Sequence, residues 1–126
     1  MKAAYDTSLL PPAPFVPVRL ASLAVHAEPV AIQAKIDTGA DLTVIPARLI
    51  EQLQLMSAGE IEVEGYDGRR ATLQVYDVNL HIDQLSLPGL LVVAFAEDYV
   101  LLGRDVLNRL RVLLDGPAMT TEILTP

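Results

Sequence analysis

Ile36-Asp37-Thr38-Gly39-Ala40-Asp41 is the stretch of this chain whose residue types could do chemistry. An acid closes an alternating apolar run, its neighbours are small, and a second apolar run, Leu42-Thr43-Val44-Ile45, follows at once. A carboxylate held on a short loop between two buried strands is well placed for acid–base work. Gly39 permits a sharp turn and lets another backbone approach. Thr38 offers a hydroxyl that can lock the loop. The bland alternative is an ordinary turn, because Asp-Thr-Gly is also good turn chemistry. A calcium loop is excluded: Leu42 stands where the sixth-position Gly should be and Arg48 where the twelfth-position Glu should be. A phosphate cradle is excluded too, since one glycine flanked by two acids repels phosphate.

A second stretch, Val100-Leu101-Leu102-Gly103-Arg104-Asp105, is an apolar strand, a glycine and an Arg-Asp pair. Arg104, taken alone, reads as an exposed surface charge. His26 reads as a turn residue and His81 as a solvent-facing strand residue.

The elements that must hold these stretches are mostly strands. Residues 1–15 form a loose proline-rich arm, because Pro11, Pro12 and Pro14 withhold backbone donors. The domain then runs over residues 16–126. Val16 to His26 and Val30 to Ile36 alternate apolar with polar and form a hairpin around His26-Ala27-Glu28-Pro29. Leu42 to Ile45 is a short strand. Pro46 opens a helix over Ala47 to Leu55. Ile61 to Gly65 and Ala71 to Ile82 are strands joined at Tyr66-Asp67-Gly68-Arg69, where Asp-Gly suits a tight turn. In the second of them Leu73, Val75 and Asp77 fall on one face. Leu90 to Phe95 and Val100 to Leu102 are buried strands, Asp105 to Leu110 a helical turn or two, and Val112 to Leu114 and Thr120 to Leu124 late strands. Many short strands with turns between them point to a small rolled β-domain.

Composition narrows the function. The chain has 126 residues, 52% of them hydrophobic, with nine Lys and Arg against sixteen Asp and Glu, a net charge of −7. That balance disfavours nucleic acid and anionic membranes as partners. With no cysteine, thiol nucleophiles and Cys-ligated metals are excluded. No metal or cofactor is expected. The absence of an export signal or membrane span points to a cytoplasmic protein. The apolar surplus suggests self-association.

The two motifs, in this order and in a chain of this length, resemble the retropepsin-like aspartic proteases, the retroviral proteases and their single-domain cellular or bacterial relatives. The resemblance rests on Ala34 to Asp41, the Gly-containing hairpin at Gly65 to Arg70, and Leu101-Leu102-Gly103-Arg104-Asp105, and spans residues 16 to 116. It implies an all-β fold, a small closed or rolled barrel with one or two short helices, forming a symmetric homodimer. It implies that Asp37 is catalytic and that the hydroxyl of Thr38 grips the partner loop. The same resemblance implies that Gly39, with Ala40 beside it, offers its carbonyl to substrate backbone, and that Asp41 binds peptide backbone while Arg104, which follows Gly103, holds it in a buried or half-buried bidentate clamp. The flap is Gly65, Tyr66, Asp67, Gly68 and Arg69. Lys35 replaces an apolar residue that usually lines a pocket, and Tyr99 and Leu101 are further candidates for a pocket wall. The flap is charged where retroviral flaps are glycine-rich.

Such chemistry needs two carboxyl groups about 3 Å apart sharing one proton. The chain holds one Asp-Thr-Gly, so a second copy must supply the other acid across a two-fold axis. The expected function is that of an aspartic endopeptidase acting on peptides or proteins. Two other readings are a non-proteolytic peptide-binding module on the same fold, motivated by the charged flap and Lys35, and a purely structural dimerisation domain.

Overall fold

Apolar residues at every second position make strands here, and the computed structural model of the chain shows where each goes. It describes residues 1–24, 26–65 and 67–124. In order these are β1 (Lys2–Ala4), β2 (Phe15–Ala21), β3 (Val30–Ile36), β4 (Val44–Pro46), α1 (Arg48–Gln52), β5 (Ser57–Glu64), β6 (Arg70–Ile82), β7 (Leu85–Phe95), β8 (Val100–Leu102), α2 (Arg104–Leu107), β9 (Arg111–Asp115) and β10 (Thr120–Leu124). Strands β2-β3-β8-β4-β7-β6 lie side by side, and β2 pairs back with β6, which closes a barrel. β5 hangs on the outer edge of β6, and β1-β10-β9 make a separate small sheet. The all-β, closed-barrel expectation is met. Among the described residues no helix is long and apolar enough to cross a membrane.

The barrel closes around one core. On β2, Val16, Val18 and Leu20 point inward while Pro17 and Arg19 face out. They meet Ala34 of β3, Val78, Leu80 and Ile82 of β6, Val92 of β7, and Val100 and Leu102 of β8. Leu49 of α1 and Val106 of α2 join the same cluster. Each Val, Leu or Ile among them stabilises the fold by about 1.5–3 kcal/mol on burial. Truncating a fully buried one, Leu20→Ala for example, costs about 2–5 kcal/mol.

Several local expectations are corrected. The first fifteen residues are not a loose arm: β1 pairs with β10, Asp6 and Ala13 exchange backbone hydrogen bonds, and Phe15 already belongs to β2. Pro46 ends β4 rather than opening the helix, because its partner Phe95 draws it into the parallel β4–β7 pairing. The helix is shorter than its apolar spacing suggests. It stops at Gln52, and Gln54, at φ +52°, has left helical conformation. β7 begins earlier than expected, at Leu85. It runs through a bulge at Pro88-Gly89, where Gly89 has φ +67° and its amide donates to Asn79 Oδ1. On β6 the inward set is Val75, then Val78, Leu80 and Ile82, so Asp77 leaves the face of Val75. The phase slips where β6 passes from pairing with β5 to pairing with β7, at Tyr76. Val25, at the end of the first expected strand, lies outside the described residues.

Candidate functional site

The parallel pairing of β3 with β8 sets Ile36 opposite Leu102, so the two sequence motifs leave the barrel side by side. The Asp37 amide donates to the Leu102 carbonyl at 3.1 Å, and the Arg104 amide donates to the Ala40 carbonyl at 2.9 Å. Gly103 is where the two backbones press together. A Cβ there would lie 2.6 Å from both the carbonyl carbon and oxygen of Leu42 and 3.0 Å from the Ala40 oxygen. Its backbone is extended, so closeness and not conformation demands glycine.

Thr43 and Asp105 form the bolt behind this crossing, and neither was assigned a role from sequence. Thr43 is fully buried. Its hydroxyl donates to Asp105 Oδ1 at 2.7 Å and accepts the Gly103 amide at 3.1 Å, while its own amide donates to Asp105 Oδ2 at 3.0 Å. Asp105 Oδ1 also accepts the Val106 amide. The available signal was a lone hydroxyl in the apolar run Leu42 to Ile45: a buried polar group must find a partner.

Asp37 is half-buried as a residue and follows β3 directly. Its Oδ1 accepts the Gly39 amide at 2.9 Å, which fixes the side chain against its own loop. Thr38 and Gly39 are exposed and Ala40 is half-buried. The Thr38 hydroxyl has no hydrogen-bond partner among the described residues. Arg104 does not hold Asp41 with two bonds. One guanidinium nitrogen donates to the Thr38 carbonyl at 2.7 Å and the other to Asp41 Oδ1. The pair is not buried: the Asp41 side chain is 84% exposed and that of Arg104 44%. The family resemblance implied the partner, but the split geometry depends on where the loop carbonyl falls.

Facing this loop is the β5–β6 hairpin. Between them runs a groove of about 690 Å³, lined by Gly39, Asp41, Leu42 and Val93 on one side and by Ile61 to Glu64 on the other. At the hairpin tip the Gly65 amide donates to the Arg69 carbonyl, the Gly68 amide to the Gly65 carbonyl, and the Arg69 amide to Asp67 Oδ1. Gly68 takes the positive φ, +77°. Tyr66 lies outside the described residues.

Lys35, Tyr99 and Leu101 are not part of this groove's lining. Tyr99 packs edge-on between Phe15 and Phe95, with ring centroids 5.5 Å from each. Lys35 stands opposite Phe15 and Leu101 in the sheet. No group of three or more His, Asp or Glu is arranged to hold a metal ion among the described residues.

Comparisons with known proteins agree with this architecture. The retropepsin-like aspartic protease from Rickettsia conorii superposes with a TM-score of 0.63 at 14% identity, over 98% of this chain and 88% of that one. The Simian Foamy Virus (mac) protease gives 0.53 at 18% identity, over 73% and 91%. EIAV protease complexed with the inhibitor HBY-793 gives 0.54 at 19% identity, over 77% and 86%. No curated protein matches the chain. Residues 22–109, which hold both motifs and the hairpin, match the family described as "gag-polyprotein putative aspartyl protease". With a barrel of that shape and a match over most of its length, the chain belongs to the retropepsin-like aspartic protease family.

Proposed function

We propose that this protein is an aspartic endopeptidase that works as a homodimer, with Asp37 of each copy forming the catalytic pair. The observation that carries the reading is the state of the Asp37 loop. A carboxyl braced by the Gly39 amide stands beside an exposed Thr38 whose hydroxyl has no partner within the described chain. A second copy placed across a two-fold axis would give that hydroxyl a partner and supply the second acid. The open edge of β9 supports association. It carries Leu113 and Leu114 nearly half exposed, surface that a monomer leaves in water.

In the proposed reaction one carboxylate takes a proton from water while its protonated neighbour polarises the scissile carbonyl. The water oxygen bonds to the carbonyl carbon. Collapse of the tetrahedral species breaks the C–N bond, and the proton passes to the departing amine. The Arg104 bridge between the Thr38 carbonyl and Asp41 holds the loop still while this happens. Thr43 and Asp105 position the loop and touch no substrate.

The test is Asp37→Asn in the full chain. Cleavage of a mixed peptide library is expected to fall by about 10²-fold or more, with the dimer and the unfolding midpoint retained. Undiminished cleavage would end this assignment. A second reading, a peptide-binding module without hydrolysis, draws on the charged hairpin. It predicts peptide binding by the unsubstituted protein with no cleavage from acidic to neutral pH.

A further inference from the structure

The groove between the Asp37 loop and the β5–β6 hairpin carries a one-sided charge. Of the residues that line it, Asp41, Glu62 and Glu64 are acids and none is Lys or Arg. Neighbouring groups neutralise these acids unequally. Asp41 is engaged by Arg104. Glu62 lies 3.9 Å from Arg70, a loose contact between mostly exposed groups. Glu60, one step further out, accepts the Gln74 amide at 2.8 Å. The Glu64 side chain has no hydrogen bond or ion pair among the described residues, although Arg70 is its cross-strand neighbour. The remaining hairpin cation, Arg69, is drawn to Asp67 at 3.5 Å.

β5 is the edge strand of its sheet, paired only with β6. Along it Ile61 and Val63 are half-buried while Glu62 and Glu64 are exposed. Glu62 and Glu64 therefore stand on the strand face opposite Ile61 and Val63, and an extended chain running along the open edge of β5 passes apolar side chains on one face and acids on the other. The whole protein, at −7, adds a long-range field of the same sign.

We infer that the groove selects peptides with Lys or Arg close to the scissile bond, and that Glu64, with Glu62 behind it, sets this preference. The inference rests on the peptidase reading for its scissile bond. The groove itself marks the site, and the carboxylates only decide which side chains enter it. In a two-fold dimer these acids are repeated, so a basic residue is favoured on either side of the cleaved bond. An acidic peptide meets like charge from Asp41, Glu62 and Glu64 together.

The test separates the two claims by measuring binding apart from cleavage. Full-length protein carrying Asp37→Asn is titrated into two fluorescent decapeptides, identical except for Lys or Glu on both sides of a central apolar pair, and followed by anisotropy. The Lys peptide is expected to bind about tenfold more tightly at low salt, a difference that shrinks as ionic strength rises. Adding Glu62→Gln and Glu64→Gln is expected to remove most of that difference. Equal affinity for the two peptides, or a preference that survives both substitutions, overturns the inference. If the unsubstituted protein cleaves neither peptide but the Lys preference holds, the peptidase reading fails and the specificity of the groove stands. If it cleaves both equally and binds them equally, the reverse is true.

Discussion

Thr43 and Asp105 are joined twice: the threonine hydroxyl donates to one carboxylate oxygen at 2.7 Å and the threonine amide to the other at 3.0 Å. One residue follows the Asp37 loop and the other lies in the first turn of α2, so this pair fixes the distance between the two motifs of the site. The hydroxyl also takes the Gly103 amide, which leaves the donors and acceptors at the crossing satisfied.

Thr43→Val keeps the shape and removes the hydroxyl. The Gly103 amide then loses its partner and Asp105 loses a charge-assisted bond. A loss of about 2–3 kcal/mol is expected, read as a lower urea midpoint with an unchanged slope. Thr43→Ser is expected to recover most of it. Wild-type stability in the valine variant would show that the bolt carries no load.

Gly103→Ala places a methyl 2.6 Å from the Leu42 carbonyl, against backbone that cannot swing aside. Destabilisation of at least about 1–3 kcal/mol is expected, with the loops pushed apart. Calorimetry against Gly116→Ala, where a Cβ meets nothing within 4 Å, gives the comparison.

Arg104→Lys separates stability from function. Because the pair with Asp41 is largely exposed, the fold is expected to change by less than about 1 kcal/mol. That is far below the cost of breaking a buried ion pair. A lysine cannot bridge the Thr38 carbonyl and Asp41 with two fixed nitrogens. On the proposed function kcat/KM is expected to drop by about tenfold or more. Unfolding curves and peptide cleavage on the same sample decide it.

On the same proposal, cleavage depends on pH as a bell. The pair works with one proton, so rate is lost on the acid side when both carboxyls are protonated and on the alkaline side when both are ionised. A profile with a single limb would contradict a shared proton.

Asp6 closes the loop ahead of β2. The Ser8 hydroxyl, and after it the Ser8 amide, donate to its Oδ1 and hold its carboxyl below the usual 3.8. A depressed folded value means the contact is fully present above the unfolded value and is lost as pH falls through the folded one. The Ser8 amide resonance is expected to move with a midpoint below the usual carboxylate value. A shift centred above pH 4 would refute this.

Much of the fold was readable from alternation. Val16, Val18 and Leu20 face one way because side chains in a strand alternate, and no distant residue was needed to see it. The same rule failed on β6, where Asp77 leaves the face of Val75. A phase slip is created by the change of partner strand, and partners are not written in the strand itself. Likewise, Pro46 had the local features of a helix start, but its pairing with Phe95 made it the end of a strand.

The amino-acid sequence by itself determined that Asp37, Thr38 and Gly39 form one loop, that Gly103 and Arg104 end a second apolar strand, and that the chain has a single Asp-Thr-Gly. These are local facts of residue type and spacing. Only the tertiary structure decided that the two strands lie parallel and adjacent, that Thr43 and Asp105 bolt them, and that Arg104 divides its fork between a carbonyl and a carboxylate. It also decided that Tyr99 is turned into an aromatic stack away from the groove. Each of these depends on contacts between residues far apart in the chain. Such contacts are set by the closing of the whole barrel, whose geometry no short stretch contains.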